Sequence, residues 1–349
     1  MLAFEVSDPP TIGKRTDGRD IKLGGFSGLI YEGFNKSSGE EVFLTLTDRG
    51  PNGPTPKKEG MAPSMTFLLP DYQLRWVRLG LTRKTKVLRV IEEIKLTYKG
   101  EPLKGIPNQA PEDELPLDAF GKKLALIPFG LDPESIVKDD DGHYWVGEEY
   151  RPSLNKFNSK GELLARFVPY GTSSSLGTPV LPARYSQRRL NRGFEAIAFT
   201  RGKIYAFLQS PLASDPKASR VIRILEFDPK HNRPTGEFIY LLDDGISDRK
   251  IGDAIATRDG EILVIEQTSR KGEGAIKKIY KIQFAPGEEQ VKKTLVIDLL
   301  ESGYDFVEKA EGLSLIDPET IAVLSDNDFG LFGEDHSYLV LFPLSEELK

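Results

Sequence analysis

An all-β fold is predicted by three features of the sequence: strand-period hydrophobicity, turn composition and a repeated unit. Apolar and polar residues alternate in EVFLTLTD, YQLRWVRLGL, KVLRVIEEIKL, HYWVGEE, KIYAFLQ, VIRILEF, EILVIEQ, KKIYKIQF and TIAVLSD, the period of a half-buried strand. The runs are separated by DPK, DDDG, TRDG, NSKG and APGEE, whose Asp, Gly and Pro suit tight turns. Helical periodicity is scarce, and PEDELPLDAF at 111–120 is the best short helical candidate.

The strands form a repeat. Five segments place an acidic or small polar residue and a small residue before Leu or Ile: FSGL at 26–29, PESI at 133–136, FEAI at 194–197, GDAI at 252–255 and AEGL at 310–313. Each is followed by a turn and a second strand ending in a polar cluster: Asp48 and Arg49, Glu148 and Glu149, Gln209 and Ser210, Glu266 and Gln267, and Asp326 to Asp328. Glu134, Glu195, Asp253 and Glu311 succeed one another at intervals of 61, 58 and 58 residues. Four strands repeated at such a period predict a β-propeller, in which small residues suit the crowded innermost strands.

Five blades are read directly. A sixth is allowed, because the interval from 27 to 134 is too long for one plain blade unless it carries the Pro-rich insertion near 99–130. The last unit shows three clear strands, so LAFEVS at the N-terminus is expected to supply the fourth and close the ring. The whole of 1–349 reads as one propeller, with a second insertion, polar and arginine-bearing, near 170–193. Function concentrates in such loops on a rigid scaffold.

Composition narrows the chemistry. The 349 residues carry 47 Lys plus Arg, 53 Asp plus Glu and no Cys, for a formal charge of −6. This excludes disulfides, thiolate nucleophiles and Cys-bearing metal sites. With His143, His231 and His336 the only histidines, all in turn sequences, any metal is expected to be oxygen-bound: Ca²⁺, Mg²⁺ or Mn²⁺. The acidity argues against a nucleic-acid partner, and no run reaches the roughly 20 apolar residues of a membrane helix. The start, MLAFEVSDPP, lacks a basic stretch and apolar core; either an intracellular protein or an exported one without its leader is expected.

If repeat-equivalent residues converge, one channel mouth gathers Glu134, Glu148, Glu149, Glu195, Asp253, Glu266, Glu311, Asp326 and Asp328. Carboxylates that close need cations to stay ionised, so these are the candidate metal ligands, against the alternative of solvated surface turns. Arg49, Arg151, Arg192 and Arg270 stand near the acids. They would meet an anionic substrate or simply bridge acidic blades. GGFSGL is no nucleophile elbow, because Leu29 stands where glycine is needed, and no phosphate-binding or dinucleotide fingerprint is present.

The blocks GGFSGL, LTDRGPN, GLDPESIVKDDDGHYWVGEEYRPSLNKFNSKGE, LPARYSQRRLNRGFEAIAF and EGLSLIDPETIAVLSDNDFG resemble, in order and over nearly the whole chain, those of the phytase-like propellers described as "esterase-like activity of phytase". Residues 132–157 are also locally similar to calcium-dependent β-propeller phytases. The resemblance implies channel calcium and hydrolysis of phosphate or other esters by metal-activated water. Glu134, Glu149, Glu195 and Glu311 would be ligands, with Asp48, Arg49 and Arg151 beside them. It also implies export to the periplasm or beyond.

The expectation is a metal-dependent hydrolase acting on a small anionic substrate, a phosphate ester foremost, without a protein nucleophile. Asp48, Arg49, Arg151, Arg192 and Arg270 would serve the reaction in a monomer. Two alternatives are a gluconolactonase-like lactonase or carboxylesterase, favoured by few arginines around the metal, and a non-enzymatic propeller stabilised by calcium.

Overall fold

In the computed structural model, which describes residues 1–54, 63–108, 113–245 and 248–344, the alternating runs become strands arranged as five radial blades. Blade one is Phe26–Asn35, Glu40–Thr47, Arg75–Thr82 and Val87–Lys95. Blade two is Pro133–Lys138, Tyr144–Glu148, Ser153–Phe157 and Leu163–Pro169. Blade three is Phe194–Thr200, Lys203–Leu208, Val221–Asp228 and Arg233–Leu241, and blade four is Lys250–Ala256, Ile262–Gln267, Lys277–Gln283 and Lys292–Asp298. Blade five is Gly312–Asp317, Thr320–Leu324 and Tyr338–Pro343, completed by the N-terminal Leu2–Ser7. The first strands pack side by side in cyclic order, and that of blade five returns to that of blade one.

The closure is doubled. Leu2–Ser7 runs antiparallel to the last strand, with Leu2 opposite Leu341 and Glu5 opposite Tyr338, and then pairs Val6 and Ser7 in parallel with Leu88 and Arg89 of blade one. One strand thus joins the two ends of the ring and leaves no exposed edge between them.

The long first interval holds no sixth blade among the described residues. It contains the outer strands of blade one, a short hairpin (Thr97–Tyr98 with Glu101–Pro102) and a three-stranded side sheet of Asn52–Gly53, Ser64–Phe67 and Leu115–Asp118. The helical candidate at 111–120 is corrected accordingly: residues 111 and 112 lie outside the described ones, and Leu115–Asp118 is a strand parallel to Ser64–Phe67. Pro116 has no N–H for a helical bond. The insertion presses on blade one so closely that a Cβ at Gly105 would lie 1.8 Å from the Arg49 carbonyl oxygen. In the second insertion, Thr178–Leu181 adds a parallel fifth strand to blade two before a 3₁₀ turn, Ala183–Gln187.

The core is divided as the blades are, into five clusters, each between two neighbouring sheets. Trp145 and Phe167 of blade two meet Phe194 and Phe227 of blade three. Each large side chain fully buried this way contributes about 1.5–3 kcal/mol. The sandwiched cores set each blade's angle, so the polar ends of the inner strands point at a common axis.

Candidate functional site

Antiparallel pairing brings the start of each blade's first strand beside the end of its second: Pro133 faces Glu148, Phe194 faces Leu208, Lys250 faces Gln267 and Gly312 faces Leu324. In blades two and three the register jumps from Pro133 to Ser135 and from Phe194 to Ala196, leaving Glu134 and Glu195 as the extra residue of a bulge. A bulge re-aims its side chain. Here it turns both acids into an axial cavity of about 200 Å³.

All five blades furnish this cavity. Asp48 and Arg49 come from blade one, Asp132, Glu134 and Glu149 from blade two, Arg192, Glu195 and Gln209 from blade three and its approach, Lys250 from blade four, and Lys309, Glu311, Asp326 and Asp328 from blade five. Eight carboxylates therefore share the space with four cationic side chains, a formal excess of four negative charges. Two carboxylates 4 Å apart repel by about 4 kcal/mol at an effective dielectric of 20. So crowded a set calls for more positive charge than the chain provides.

The acids form two groups, Asp48 with Asp326 and Asp328, and Asp132 with Glu134 and Glu149, each with one oxygen per residue inside 4.8 Å of the others. In the first, Lys309 Nζ lies 2.7 Å from Asp326 and 2.8 Å from Asp328, and the Asp328 N–H donates to Asp326 Oδ1 at 2.7 Å. In the second, Arg49 binds Glu114 at 2.7 Å and Asp132 at 3.4 Å. Glu149 accepts from Arg192 at 3.1 Å and from Asn191 at 2.6 Å. Lys250 reaches Glu311 at 3.1 Å and Glu195 at 3.9 Å.

Gly193 locks blade three to this group. Its N–H donates to the Glu149 carbonyl at 2.7 Å, and a Cβ there would stand 2.4 Å from that oxygen.

The electrostatics follow from burial. Burial pushes Glu134 and Glu195 well above the usual carboxylate range, reinforced by Asp132 beside the first and Glu149 beside the second. Burial raises Glu149 to about 7 despite Arg192, and Asp326 to about 8 with Asp328 adding to it. Glu311 goes the other way, because Lys250 and Lys309 outweigh its burial.

Four buried oxygens on residues lining the cavity have neither a hydrogen-bond partner nor an ion pair: Asn52 Oδ1, Asn191 Oδ1, Glu195 Oε2 and Gln209 Oε1. Oxygen acceptors left unpaired in a buried, acidic space are the donor set of a hard cation. The residues fit such an ion.

The structure brings Asp48, Arg49, Glu134, Glu149, Arg192, Glu195, Glu311, Asp326 and Asp328 of the predicted set together, and places five others elsewhere. Glu148 ends its strand and Glu149 begins the turn that follows, and the two diverge: Glu148 accepts the Arg151 N–H and Ser153 hydroxyl in a separate pocket with Arg166. There its burial, partly offset by Arg166, raises it to about 7. Arg151 lines that same pocket and pairs with Asp113 at 2.6 Å. Asp253 spends its carboxylate on the backbone N–H groups of Ala254 and Leu313. Glu266 is buried among Tyr240, Arg249 and Lys293, and Arg270 is exposed and paired with Asp248.

Asp132, Lys250, Lys309, Asn52 and Asn191 are not singled out by the sequence, and Gln209 stands there only as part of its blade's polar cluster. For two of them a signal exists: Asp132 and Lys309 lie two residues before Glu134 and Glu311, just ahead of their blades' first strands.

The family model described as phytase-like, "esterase-like activity of phytase", matches residues 21–329. The chain belongs to this family. The match to the phytase-like family contains all eight cavity carboxylates, and membership is consistent with a hydrolase. A protein of Arthroderma benhamiae described as "Uncharacterized secreted protein" is 32% identical to this phytase-like chain over 174 residues, 42% of the chain and 33% of the relative. The match thus spans about a third of the relative's length. Among solved structures, a luciferin-regenerating enzyme is 10% identical with a TM-score of 0.40, covering 100% of this chain and 97% of that one. A putative 6-phosphogluconolactonase from Bacteroides uniformis is 13% identical with a TM-score of 0.37, covering 92% and 88%. Likenesses this distant say nothing of chemistry.

Proposed function

We propose that this phytase-like propeller is a divalent-metal-dependent ester hydrolase, that its ion is calcium, and that it attacks a small anionic ester, a phosphate ester foremost, in the axial cavity. The observation that carries this reading is the excess of carboxylates over cations in one buried space, with four unpaired oxygens on the residues that line it. Asp132, Glu134 and Glu149 would hold one ion and Asp48, Asp326 and Asp328 a second. When bound, such ions activate water and screen phosphate oxygens.

The chain's own groups supply orientation and proton transfer. Arg192 sits at the rim with its side chain 43% exposed and one nitrogen on Glu149, so its remaining N–H donors can meet an incoming anion. Glu195 Oε2 has no partner; ionised beside bound cations, it would take a proton from the attacking water. Arg49 is committed to Glu114 and Asp132. It orients carboxylates rather than substrate.

One observation favours a second reading. Of the four arginines expected around the substrate, only Arg192 combines a place on the cavity with an uncommitted face, which suits a lactone or carboxylic ester as well as a phosphate. The reading also places the protein outside the cytosol, as a monomer acting on a small molecule without nucleic acid or membrane. Millimolar extracellular calcium suits an oxygen site of modest affinity, and the Arthroderma relative is described as secreted.

The test is a panel of p-nitrophenyl phosphate, a bis-phosphodiester, phytate and a p-nitrophenyl acyl ester, assayed with chelator and with added Ca²⁺. Calcium-dependent release of phosphate is expected. Turnover of the acyl ester alone selects the second reading, chelator-insensitive turnover removes the metal from the reaction, and calcium binding without turnover leaves a structural ion.

A further inference from the structure

Among the described residues, the cavity walls are charged or amide-bearing at every position but two, Met65 and Phe332. They come from opposite ends of the chain. Met65 lies on the side-sheet strand Ser64–Phe67 inserted in blade one, and Phe332 on the loop that follows Asp328 in blade five. Phe332 is 55% exposed, while Phe329 is buried in the same loop and packs edge-on against Tyr72 at 5.7 Å. The base of the loop is therefore anchored, and Phe332 is held out at the mouth. Arg192, with its side chain 43% exposed, lines the same cavity. An accessible cation and two apolar side chains therefore share one cavity.

We infer that Phe332 and Met65 form a specificity platform that selects an ester joining an anionic head to a ring or hydrocarbon body. The inference rests on the hydrolase reading and names the substrate class of that same site. The head enters among the cations and carboxylates while the body lies on the Phe332 ring and the Met65 thioether, surfaces suited to aromatic and aliphatic contact. A fully charged or polyhydroxylated body gains nothing from that wall.

The test compares phenyl phosphate with glycerol phosphate as substrates, and titrates phenylphosphonate as a ligand that is not turned over. Phe332→Ala is expected to raise the ratio of the two KM values about tenfold and to weaken phenylphosphonate binding by about the same factor, the loss of roughly one aromatic contact. Tm and calcium affinity should hold, because the side chain is exposed. Phe332→Leu should restore part of the preference, and Met65→Ala should lose part of it. An unchanged KM ratio with turnover intact overturns the platform and leaves the hydrolase standing. If neither ester is turned over yet phenylphosphonate binding still depends on Phe332, the hydrolase reading fails and the platform survives as a binding site.

Discussion

Glu195 and Glu266 are both buried carboxylates at repeat positions of neighbouring blades, yet they have opposite surroundings. Glu266 is fully sequestered and fully satisfied, accepting from Tyr240 at 2.7 Å, the Asp243 N–H at 2.9 Å, Arg249 at 2.9 Å and Lys293 at 2.9 Å. Glu195 has one oxygen 3.9 Å from Lys250 and the other without a partner, beside Glu149 and Glu311. The difference separates an acid that holds two sheets together from one that waits for a ligand. Burial and charge are common to both; the balance of partners is not.

The largest effect that sharpens this contrast is on Glu195. Glu195→Gln is expected to lower kcat by about a thousandfold, in the range for loss of a proton-transfer group, and to weaken calcium binding. The metal-free protein should keep its Tm, since a repelling charge has been removed. Unaltered kinetics would rule out the proposed site.

Glu266→Ala should do the reverse. It leaves Arg249 and Lys293 with Asp243 as their carboxylate partner and takes the acceptor from the Tyr240 hydroxyl, a change expected to cost about 3 kcal/mol, read by urea denaturation, with calcium affinity unaltered in the protein that remains folded. Gly193→Ala belongs between the two. Its Cβ cannot fit 2.4 Å from the Glu149 carbonyl, and the backbone must shift at a cost of about 2 kcal/mol, carrying Glu149 with it, so stability and calcium affinity should fall together.

The pH response tests the same contrast. Glu149 and Asp326 have native values near 7 and 8, above their ordinary ones, so the native state binds more protons than the unfolded chain between about pH 4 and 8. Stability of the calcium-free protein should therefore decline as pH rises from 5.5 to 8.5, by at most about 1.4 kcal/mol per pH unit for each group. Saturating calcium should flatten or reverse the slope. A calcium-free protein that grows more stable with pH in that window would contradict the assignment. The smallest effect is expected at Arg270→Ala, which removes an exposed pair with Asp248 worth less than about 1 kcal/mol, with kcat/KM unaltered.

Much of this arrangement was legible before any coordinates. The near-constant spacing of Glu134, Glu195, Asp253 and Glu311 reported the ring, and the three-stranded last unit reported the closure by Leu2–Ser7. What the repeat could not convey was side-chain direction. Glu148 and Glu149 are adjacent in a polar cluster, yet the strand ends between them, and one goes to Arg151 and Arg166 while the other goes to the cavity. In blade four the irregular pairing between Ile251 and Ala254 leaves Asp253 on backbone N–H groups and gives the cavity Lys250 instead. Bulges shift the register by one residue without a mark in the hydrophobic pattern. Lys250 and Lys309 carry no mark in the acidic repeat, although a crowded acidic site needs partial internal compensation.

Calorimetric titration of chelator-treated protein with CaCl₂ addresses the central claim most directly. An excess of four negative charges in the axial cavity predicts two calcium ions bound per chain, protons released at pH 7 as the raised carboxylates ionise, and a higher Tm. Absence of heat, proton release and Tm shift at millimolar calcium would contradict it.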